Sequence, residues 1–139
     1  MKHYKTAESV TKGHPDKLCD YIADSILDSY LQKDPESRVA VEVMATKGLI
    51  LVAGEVTSTA KINIRKVVKD TLRSAGYTPS EFRIKVRLHK QSLDIARGVN
   101  RSEDLLGAGD QGIVYGYATD ETPGFLPLAL VLARRLTSR

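Results

Sequence analysis

Two strand-like runs separated by only two residues constrain the fold of this chain most strongly. Arg38–Thr46 is rich in valine and alternates, and Leu49–Thr57 is a second strand-like run. Lys47 and Gly48 lie between the runs, which predicts a β-hairpin. A loop of two residues would fix the register of the two strands, and the register decides which side chains share a face of the sheet.

Apolar residues that recur at helical spacing predict two amphipathic helices. The first helix starts near Pro15, because proline favours the first helical position, and ends near Lys33. The second helix ends near Gly76, since glycine suits a C-terminal cap. The marker residues are Leu18, Ile22, Ile26 and Tyr30 in the first helix and Ile64, Val67, Val68 and Leu72 in the second.

Further strands are predicted at residues 2–6, 83–88 and 113–118, and a further helix at residues 126–136. The order strand, helix, hairpin, helix, strand predicts an α+β fold with a mixed β-sheet and the helices packed on one face. A second structural unit is expected to begin near residue 113.

A long polar stretch, residues 89–112, carries glycines and charges but few apolar residues, and a loop of this length is usually functional or mobile. Its residues 107–112 match the pattern G-x-G-x-x-G. A dinucleotide site needs a strand before this pattern and a helix after it. Because a polar loop precedes the pattern and a strand-like run follows it, we reject that interpretation. A plain turn and a backbone-rich binding loop remain.

Charge and apolar content limit the partners and the compartment. The chain has 21 lysines and arginines against 17 aspartates and glutamates, which suits an anionic partner or simply a mildly basic soluble protein. No run resembles a signal peptide or a membrane span, which predicts a cytoplasmic protein without a membrane partner. Cys19, the single cysteine, has the spacing of a small core residue.

A basic stripe follows the strand predicted at residues 83–88. Arg83, Lys85 and Arg87 share one face of it, and His89 follows in register. A basic stripe can bind nucleic acid, but aromatic residues for base stacking are missing nearby. A solvated strand edge is therefore the favoured interpretation.

The start of the first helix is a candidate phosphate site, because a helix N-terminus offers N–H groups and a partial positive charge. His14 would add a donor, and Asp16 could bind a magnesium ion that bridges phosphates. The alternative is an ordinary capping aspartate after a loop histidine. Asp16, Asp20, Asp24 and Asp28 repeat every four residues, which is typical of a solvated helix face.

Glu42 and Glu55 form a candidate cation site. With a two-residue hairpin loop, Glu42 faces Ala53, and Glu55 becomes its diagonal neighbour at roughly 7 Å. Ala40 and Met44 share this face, which suggests partial burial. Carboxylates so close in an apolar setting need a monovalent ion, an ammonium group or an arginine. The alternatives are a solvent-exposed face and a register slip that separates the two carboxylates.

Five short stretches stand out along the chain: residues 8–17 (ESVTKGHPDK), 54–57 (GEVT), 90–95 (KQSLDI), 107–112 (GAGDQG) and 116–122 (GYATDET). In this order they resemble the S-adenosylmethionine synthetase family, and the resemblance runs over essentially the whole chain. The resemblance implies the first of three similar α+β domains. It places the N-terminal domain at residues 1–100, and the end of a gating loop and the beginning of the central domain at residues 101–139.

The resemblance also implies a role for individual residues. His14 would contact the ATP phosphates, and Asp110 would lie at the nucleotide and methionine site, so these two are the catalytic candidates. Glu55 and Gln91 would bind methionine. Asp16 would be a ligand of Mg²⁺, of which two per site are expected, and Glu42 would belong to a K⁺ site. The gating-loop residues would be Gln91, Ser92, Asp94, Ile95, Arg97, Gly98 and Arg101.

The implied reaction explains these residue types. In the family, the methionine sulfur attacks the 5′ carbon of ATP, and the released triphosphate is hydrolysed to phosphate and pyrophosphate. The leaving group carries several negative charges, so its stabilisation is electrostatic. The resemblance further implies a homodimer or a dimer of dimers, with active sites between two subunits and no nucleic-acid partner.

Departures from the family pattern leave other functions open. Lys12 stands where an acidic residue is usual, Leu93 replaces a usual proline, and residues 80–89 are shorter than typical. The family's cationic residues for the triphosphate lie beyond Arg139, so we expect little or no activity from this chain by itself. One alternative is a non-catalytic module, either one that binds ATP and magnesium or a regulatory one. A more distant alternative is a basic nucleic-acid-binding domain.

Overall fold

A computed structural model describes residues 4–90, 100–102, 105–106 and 111–138 of the chain. The chain divides into two compact units. The sheet unit comprises the described residues between 13 and 110, and the terminal unit comprises residues 4–12 and 111–138. The elements in chain order are α1 (Pro15–Leu31), β1 (Arg38–Thr46), β2 (Leu49–Thr57), α2 (Ile64–Ser74), a 3-10 helix (Pro79–Glu81), β3 (Arg83–His89), β4 (Asn100–Ser102), β5 (Leu105–Leu106) and α3 (Leu128–Thr137).

The sheet unit is built on a mixed three-stranded sheet in the order β1-β2-β3. β1 and β2 pair antiparallel, with Glu42 opposite Ala53 and Ala40 opposite Glu55, whereas β2 and β3 pair parallel. Gly48 in the hairpin turn has a φ of 70°, a left-handed conformation that glycine adopts without steric cost. The predicted hairpin and its register are therefore confirmed.

Both helices of the sheet unit pack on one face of the sheet, as predicted. Apolar residues of α1 and α2 form one core cluster with the inward side chains of the three strands. The fully buried side chains of this core are Ile22, Ile26, Ile50, Val52, Val68 and Leu72. In α1 the apolar residues recur every four positions, so they lie on the side that faces the sheet.

The other face of the sheet, here named the open face, carries no helix in the described part of the chain. Its side chains are exposed on β1 and β3 and half-buried on the central strand β2. They are Ala40, Glu42, Met44 and Thr46 of β1, Leu49, Leu51, Ala53 and Glu55 of β2, and Arg83, Lys85, Arg87 and His89 of β3.

The C-terminus of α2 is closed by the glycine cap that the sequence predicts. Gly76 has a φ of 91°, and its N–H donates to the carbonyl of Arg73 at 3.0 Å. The N–H of Tyr77 donates to the carbonyl of Leu72 at 2.9 Å. These two bonds define a Schellman motif, which turns the chain sharply and directs Tyr77 back toward the helix.

Several sequence predictions are wrong. Residues 4–6 and 113–118 form no strand, and Val114 is 99% exposed. An alternating pattern becomes a strand only when a neighbouring strand accepts its backbone hydrogen bonds, and no such neighbour lies in the described residues. The stretch predicted as a loop contains the antiparallel pair β4 and β5. α3 begins at Leu128 rather than at residue 126, directly after Pro127.

The terminal unit joins the first described residues to α3. Lys5 Nζ lies 2.5 Å from Glu121 Oε1, and the other carboxylate oxygen of Glu121 accepts the backbone N–H of Leu128 at 3.0 Å. The hydroxyls of Ser9 and Thr137 lie 2.9 Å apart. The hydrogen bond and the charge of Lys5 lower the pKa of Glu121. Both ends of α3 are thus bound to residues of the same unit. None of the helices described is long and apolar enough to cross a membrane.

Candidate functional site

His14 is the N-terminal cap of α1. Its carbonyl accepts the N–H of Leu18 at 2.8 Å, and its ring Nδ1 accepts the N–H of Asp16 at 3.3 Å. A ring nitrogen that accepts a hydrogen bond carries no hydrogen, so this arrangement assigns the hydrogen of the neutral ring to Nε2. Because the side chain is 42% exposed, Nε2–H is the donor that His14 offers to a ligand.

The start of α1 offers fewer open backbone donors than a helix N-terminus usually does. Pro15 has no N–H, the N–H of Asp16 bonds to the His14 ring, and the N–H of Leu18 bonds to the His14 carbonyl. The attraction for an anion at this point therefore comes from the helix dipole and from the His14 ring, more than from a row of free N–H groups.

Asp16 fits a shared magnesium ion. Its side chain is 88% exposed, and Oδ2 lies 3.8 Å from His14 Nδ1. Magnesium is commonly held by one or two carboxylates together with phosphate oxygens and water. The described residues contain no group of three or more His, Cys, Asp or Glu side chains that could hold a metal ion by themselves. A metal at Asp16 would therefore need oxygens from a bound phosphate.

Glu42 and Glu55 are the diagonal neighbours that the hairpin register predicts. The partial burial expected for their face is wrong on β1, where Glu42 is exposed and Met44 is 57% exposed, because both helices pack on the opposite face. Glu55 is half-buried on the central strand. Glu42 therefore fits a potassium ion only as one ligand among others, whereas Glu55 is better shielded from water.

Gly54 shapes the strand just before Glu55. Its φ is 138°, and a Cβ at this position would lie 2.1 Å from the carbonyl oxygen of Ala40 and 3.0 Å from the Cα of Val41. β1 and β2 therefore approach so closely that only glycine fits. A glycine inside a strand is a signal of close backbone approach, so the sequence carried a sign of this requirement that our predictions did not use.

Charge varies in one direction across the open face. In register, Glu42 of β1 lies beside Ala53 of β2, which lies beside Arg87 of β3. Met44, Leu51 and Lys85 form the next row. In these two rows the open face has an acidic or apolar residue on β1, an apolar residue on β2 and a basic residue on β3, whereas the row through Ala40 and His89 has Glu55 on β2. The basic side chains of β3 are exposed, as are the four aspartates of α1, so both predictions of solvated faces are confirmed.

The remaining predicted site residues lie outside the described residues. They are Gln91, Asp110 and the gating-loop residues Ser92, Asp94, Ile95, Arg97 and Gly98. Arg101 falls in β4, where only the backbone is described. Among the predicted site residues with described side chains, His14 and Asp16 lie together at the start of α1, and Glu42 and Glu55 lie together on the open face.

A hydrogen-bonded carboxylate at Asp34 was not singled out from the sequence. Its Oδ2 accepts from the hydroxyl of Ser58 at 2.7 Å and from the N–H and hydroxyl of Thr59 at 2.7 and 3.0 Å. Its Oδ1 accepts from the N–H of Glu36 at 3.2 Å. These bonds, with Ser58 foremost, lower the pKa of Asp34 from 3.8 to about 2. Asp34 therefore ties the loop after α1 to the loop after β2.

These features define an α+β protein whose first helix begins at a candidate phosphate-binding histidine. Residues 2–100 match the family model of the S-adenosylmethionine synthetase N-terminal domain, and residues 105–139 match the model of the central domain. The chain belongs to the S-adenosylmethionine synthetase family, which confirms the resemblance seen in the sequence.

Relatives named S-adenosylmethionine synthase match the chain over nearly its whole length. The protein of Mycoplasmopsis pulmonis is 48% identical over 100% of this chain and 37% of its own length. Those of Deinococcus deserti and Mesoplasma florum are 44% and 43% identical, over 100% and 98% of this chain and 41% and 38% of their own lengths. The chain therefore spans well under half the length of these relatives.

Proposed function

We propose that this chain is the N-terminal part of a methionine adenosyltransferase. The enzyme forms S-adenosylmethionine from ATP, L-methionine and water, and releases phosphate and pyrophosphate. Membership of the S-adenosylmethionine synthetase family, matched over residues 2–100 and 105–139, carries this proposal. We assign residues 1–100 to the N-terminal domain and residues 101–139 to the gating-loop end and the beginning of the central domain, and we expect the enzyme in the cytoplasm.

His14 acts on the triphosphate in this proposal. When the methionine sulfur attacks the 5′ carbon, the bond from that carbon to oxygen breaks, and the triphosphate leaves with the electron pair. A thioether has no proton to lose, so the site has to stabilise negative charge rather than supply a base. His14 Nε2–H donates to a phosphate oxygen, and the dipole of α1 adds positive potential at the same point.

The ions and the methionine are assigned to the carboxylates. Asp16 would hold one of two Mg²⁺ ions, and Glu42 would give one ligand to K⁺; bound ions would neutralise part of the triphosphate charge. Glu55 pairs with the methionine ammonium, which its half-buried place on β2 supports, because less water competes there. Gln91 is assigned to methionine, and Asp110 to the nucleotide and methionine site.

The complete enzyme is proposed to be a homodimer or a dimer of dimers that uses the open face. Two copies related by a two-fold axis along β2 would place the Glu42 edge of one copy over the basic β3 edge of the other, with Leu51 and Ala53 of the two β2 strands in contact. The charge distribution across the open face supports this arrangement.

A grafted enzyme tests the activity. In it, this chain replaces the matching N-terminal part of the Mycoplasmopsis pulmonis relative, and S-adenosylmethionine formation is measured with magnesium and potassium present. We expect the grafted enzyme to be active and His14→Ala to lower kcat/KM by at least about 100-fold, the usual loss when a group that stabilises developing charge is removed. Asp24→Ala, at an exposed position of α1, is the matched control and should leave kcat/KM unchanged.

Two results would contradict this proposal. A folded grafted enzyme that binds ATP with magnesium but forms no S-adenosylmethionine would support the non-catalytic module instead. A fully active His14→Ala variant would remove His14 from the triphosphate site. The 139-residue chain without the graft is expected to show little or no turnover, which the same assay measures on a sample whose intact mass is 15.3 kDa.

A further inference from the structure

We propose that Tyr77 is a positioning residue, which orients His14 toward the phosphate through a hydrogen bond to the backbone of Gly13. The phenol hydroxyl of Tyr77 donates to the carbonyl oxygen of Gly13 at 2.6 Å. Tyr77 and Gly13 are 64 residues apart in the chain, and Gly13 directly precedes His14. This inference rests on the proposed phosphate contact of His14 and adds a residue that no sequence motif pointed to.

The position of Tyr77 is set by the end of α2. Tyr77 follows Gly76 in the Schellman motif, where its N–H is bonded to the carbonyl of the fully buried Leu72. Its ring also meets the ring of Phe82 edge to face, with centroids 5.5 Å apart and planes at 89°. A backbone bond and a ring contact therefore hold the phenol from two sides, so its hydroxyl is a rigid donor.

Tyr77 contacts Gly13 in two ways, through the hydrogen bond to its carbonyl and through packing of the ring against its backbone. A Cβ at Gly13 would lie 3.6 Å from the Tyr77 hydroxyl oxygen, which is ordinary contact distance, so the end of the Tyr77 ring packs beside the Gly13 backbone. The Gly13 carbonyl and the His14 nitrogen belong to one planar peptide unit. The hydrogen bond to this carbonyl therefore fixes the orientation of the peptide plane that contains the His14 nitrogen.

His14 is then restrained at three points. Tyr77 fixes the peptide unit before it, the N–H of Leu18 fixes its own carbonyl, and the N–H of Asp16 fixes ring Nδ1. With the backbone on both sides and one ring nitrogen restrained, the directions in which Nε2–H can donate are limited. Preorganisation of this kind lets a charge-stabilising donor act without first being reoriented.

The first test uses the 139-residue chain without any ligand. Nitrogen NMR of the His14 ring at one fixed pH is expected to show the hydrogen on Nε2. Tyr77→Phe keeps the ring and its contact with Phe82 but removes the donor, so the Gly13 carbonyl resonance should shift and the His14 ring should populate both tautomers. Tyr21→Phe is the matched control, because its hydroxyl bonds to Ser74 on α2 instead, and it should leave the His14 signals unchanged.

The second test measures inhibition of the grafted enzyme by inorganic tripolyphosphate. Tyr77→Phe should weaken inhibition by about tenfold, the fold-change that corresponds to one hydrogen bond. In a His14→Ala background the same change should have no further effect, because Tyr77 acts through His14. Tyr21→Phe should leave inhibition unchanged in either background.

The outcomes separate the inference from the proposed function. An equal loss of inhibition from Tyr77→Phe with and without His14 would overturn the positioning role, since Tyr77 would then serve the fold alone. Unchanged His14 signals in Tyr77→Phe would overturn it as well. If His14→Ala itself leaves tripolyphosphate inhibition unchanged, the phosphate contact of His14 is wrong, and the role of Tyr77 in phosphate binding is overturned with it.

Discussion

Several single residues in this chain are important because they fix the position of the backbone. Gly54 lets two strands approach where any side chain would meet the Ala40 carbonyl. Asp34 accepts four hydrogen bonds, of which the three from Ser58 and Thr59 join two loops. Tyr77 acts on the Gly13 carbonyl rather than on a side chain. Each of these residues fixes a piece of backbone next to a candidate site or between core elements.

Replacing Gly54 should be far more disruptive than replacing another glycine of the same hairpin. Gly54→Ala combines a φ of 138° with a contact of 2.1 Å to the Ala40 carbonyl, so we expect a loss of more than about 3 kcal/mol in the free energy of unfolding. Gly48→Ala, the matched control, has only φ strain and should lose about 1–2 kcal/mol. Urea unfolding followed by circular dichroism measures both, and equal losses would contradict the close approach.

Asp34 should make the fold sensitive to acid. Its folded-state pKa is about 2 against 3.8 for the free group, so its stabilisation is fully present above about pH 4 and is lost as the pH falls toward 2. Asp34→Asn should therefore be less stable than the parent near neutral pH, with the difference shrinking in acid. Asp24→Asn, at an exposed position of α1, should keep the acid sensitivity of the parent. Unfolding midpoints of the parent and Asp34→Asn, measured near neutral pH and near pH 2, test this. If the stability difference between the two proteins does not shrink in acid, Asp34 is not the source of the acid sensitivity.

At the scale of elements, the helices of the sheet unit are held by their buried stripes rather than by their exposed charges. The stripe of α1 reaches the sheet and α2 through residues that are fully buried, such as Ile22 and Ile26. The aspartates on its outer face are exposed, so they add little to this packing.

Truncation within this stripe should therefore destabilise the whole sheet unit. Ile22→Ala leaves a cavity at a side chain with 0% exposure, and we expect the free energy of unfolding to fall by about 2–5 kcal/mol. Leu31→Ala, at the exposed end of the same helix, should lower it by less than about 1 kcal/mol. Denaturant titration of both variants measures the difference, and similar losses would place the core elsewhere.

Local pattern was enough to predict some elements and not others. The hairpin was predictable because the alternation of β1 and β2 and a glycine in the turn agree on one register. The strand predicted at residues 113–118 was wrong because alternation does not supply a partner strand. Pairing of His14 with Asp16 follows from their neighbouring positions, whereas the contact between Tyr77 and Gly13 depends on how α2 packs and has no local signal.

At the scale of the whole molecule, the open face is the surface through which the complete enzyme is proposed to assemble. Helices cover the other face of the sheet, and the described residues leave this one with opposite charges at its two edges. A face of this kind is complementary to its own two-fold copy.

Reversing the basic edge should separate the subunits. We expect Lys85→Glu with Arg87→Glu to convert the grafted enzyme into smaller species in sedimentation equilibrium, because like charges would then meet across the two-fold axis. Adding Glu42→Lys should restore the assembly by exchanging the two signs. Lys61→Glu with Lys69→Glu changes the same number of charges at exposed positions away from the open face and should have no effect. An unchanged assembly in the first variant would show that the open face is not the interface.

The parallel pairing of β2 with β3 has a consequence for the order of folding. β1 and β2 are adjacent in the chain and close through a two-residue turn, so they can pair early, with little loss of chain entropy. β3 can join them only after residues 58–82, which contain α2, have crossed the sheet and packed. Docking of α2 is thus expected to limit the refolding rate, and the cap that fixes Tyr77 would form in the same slow step.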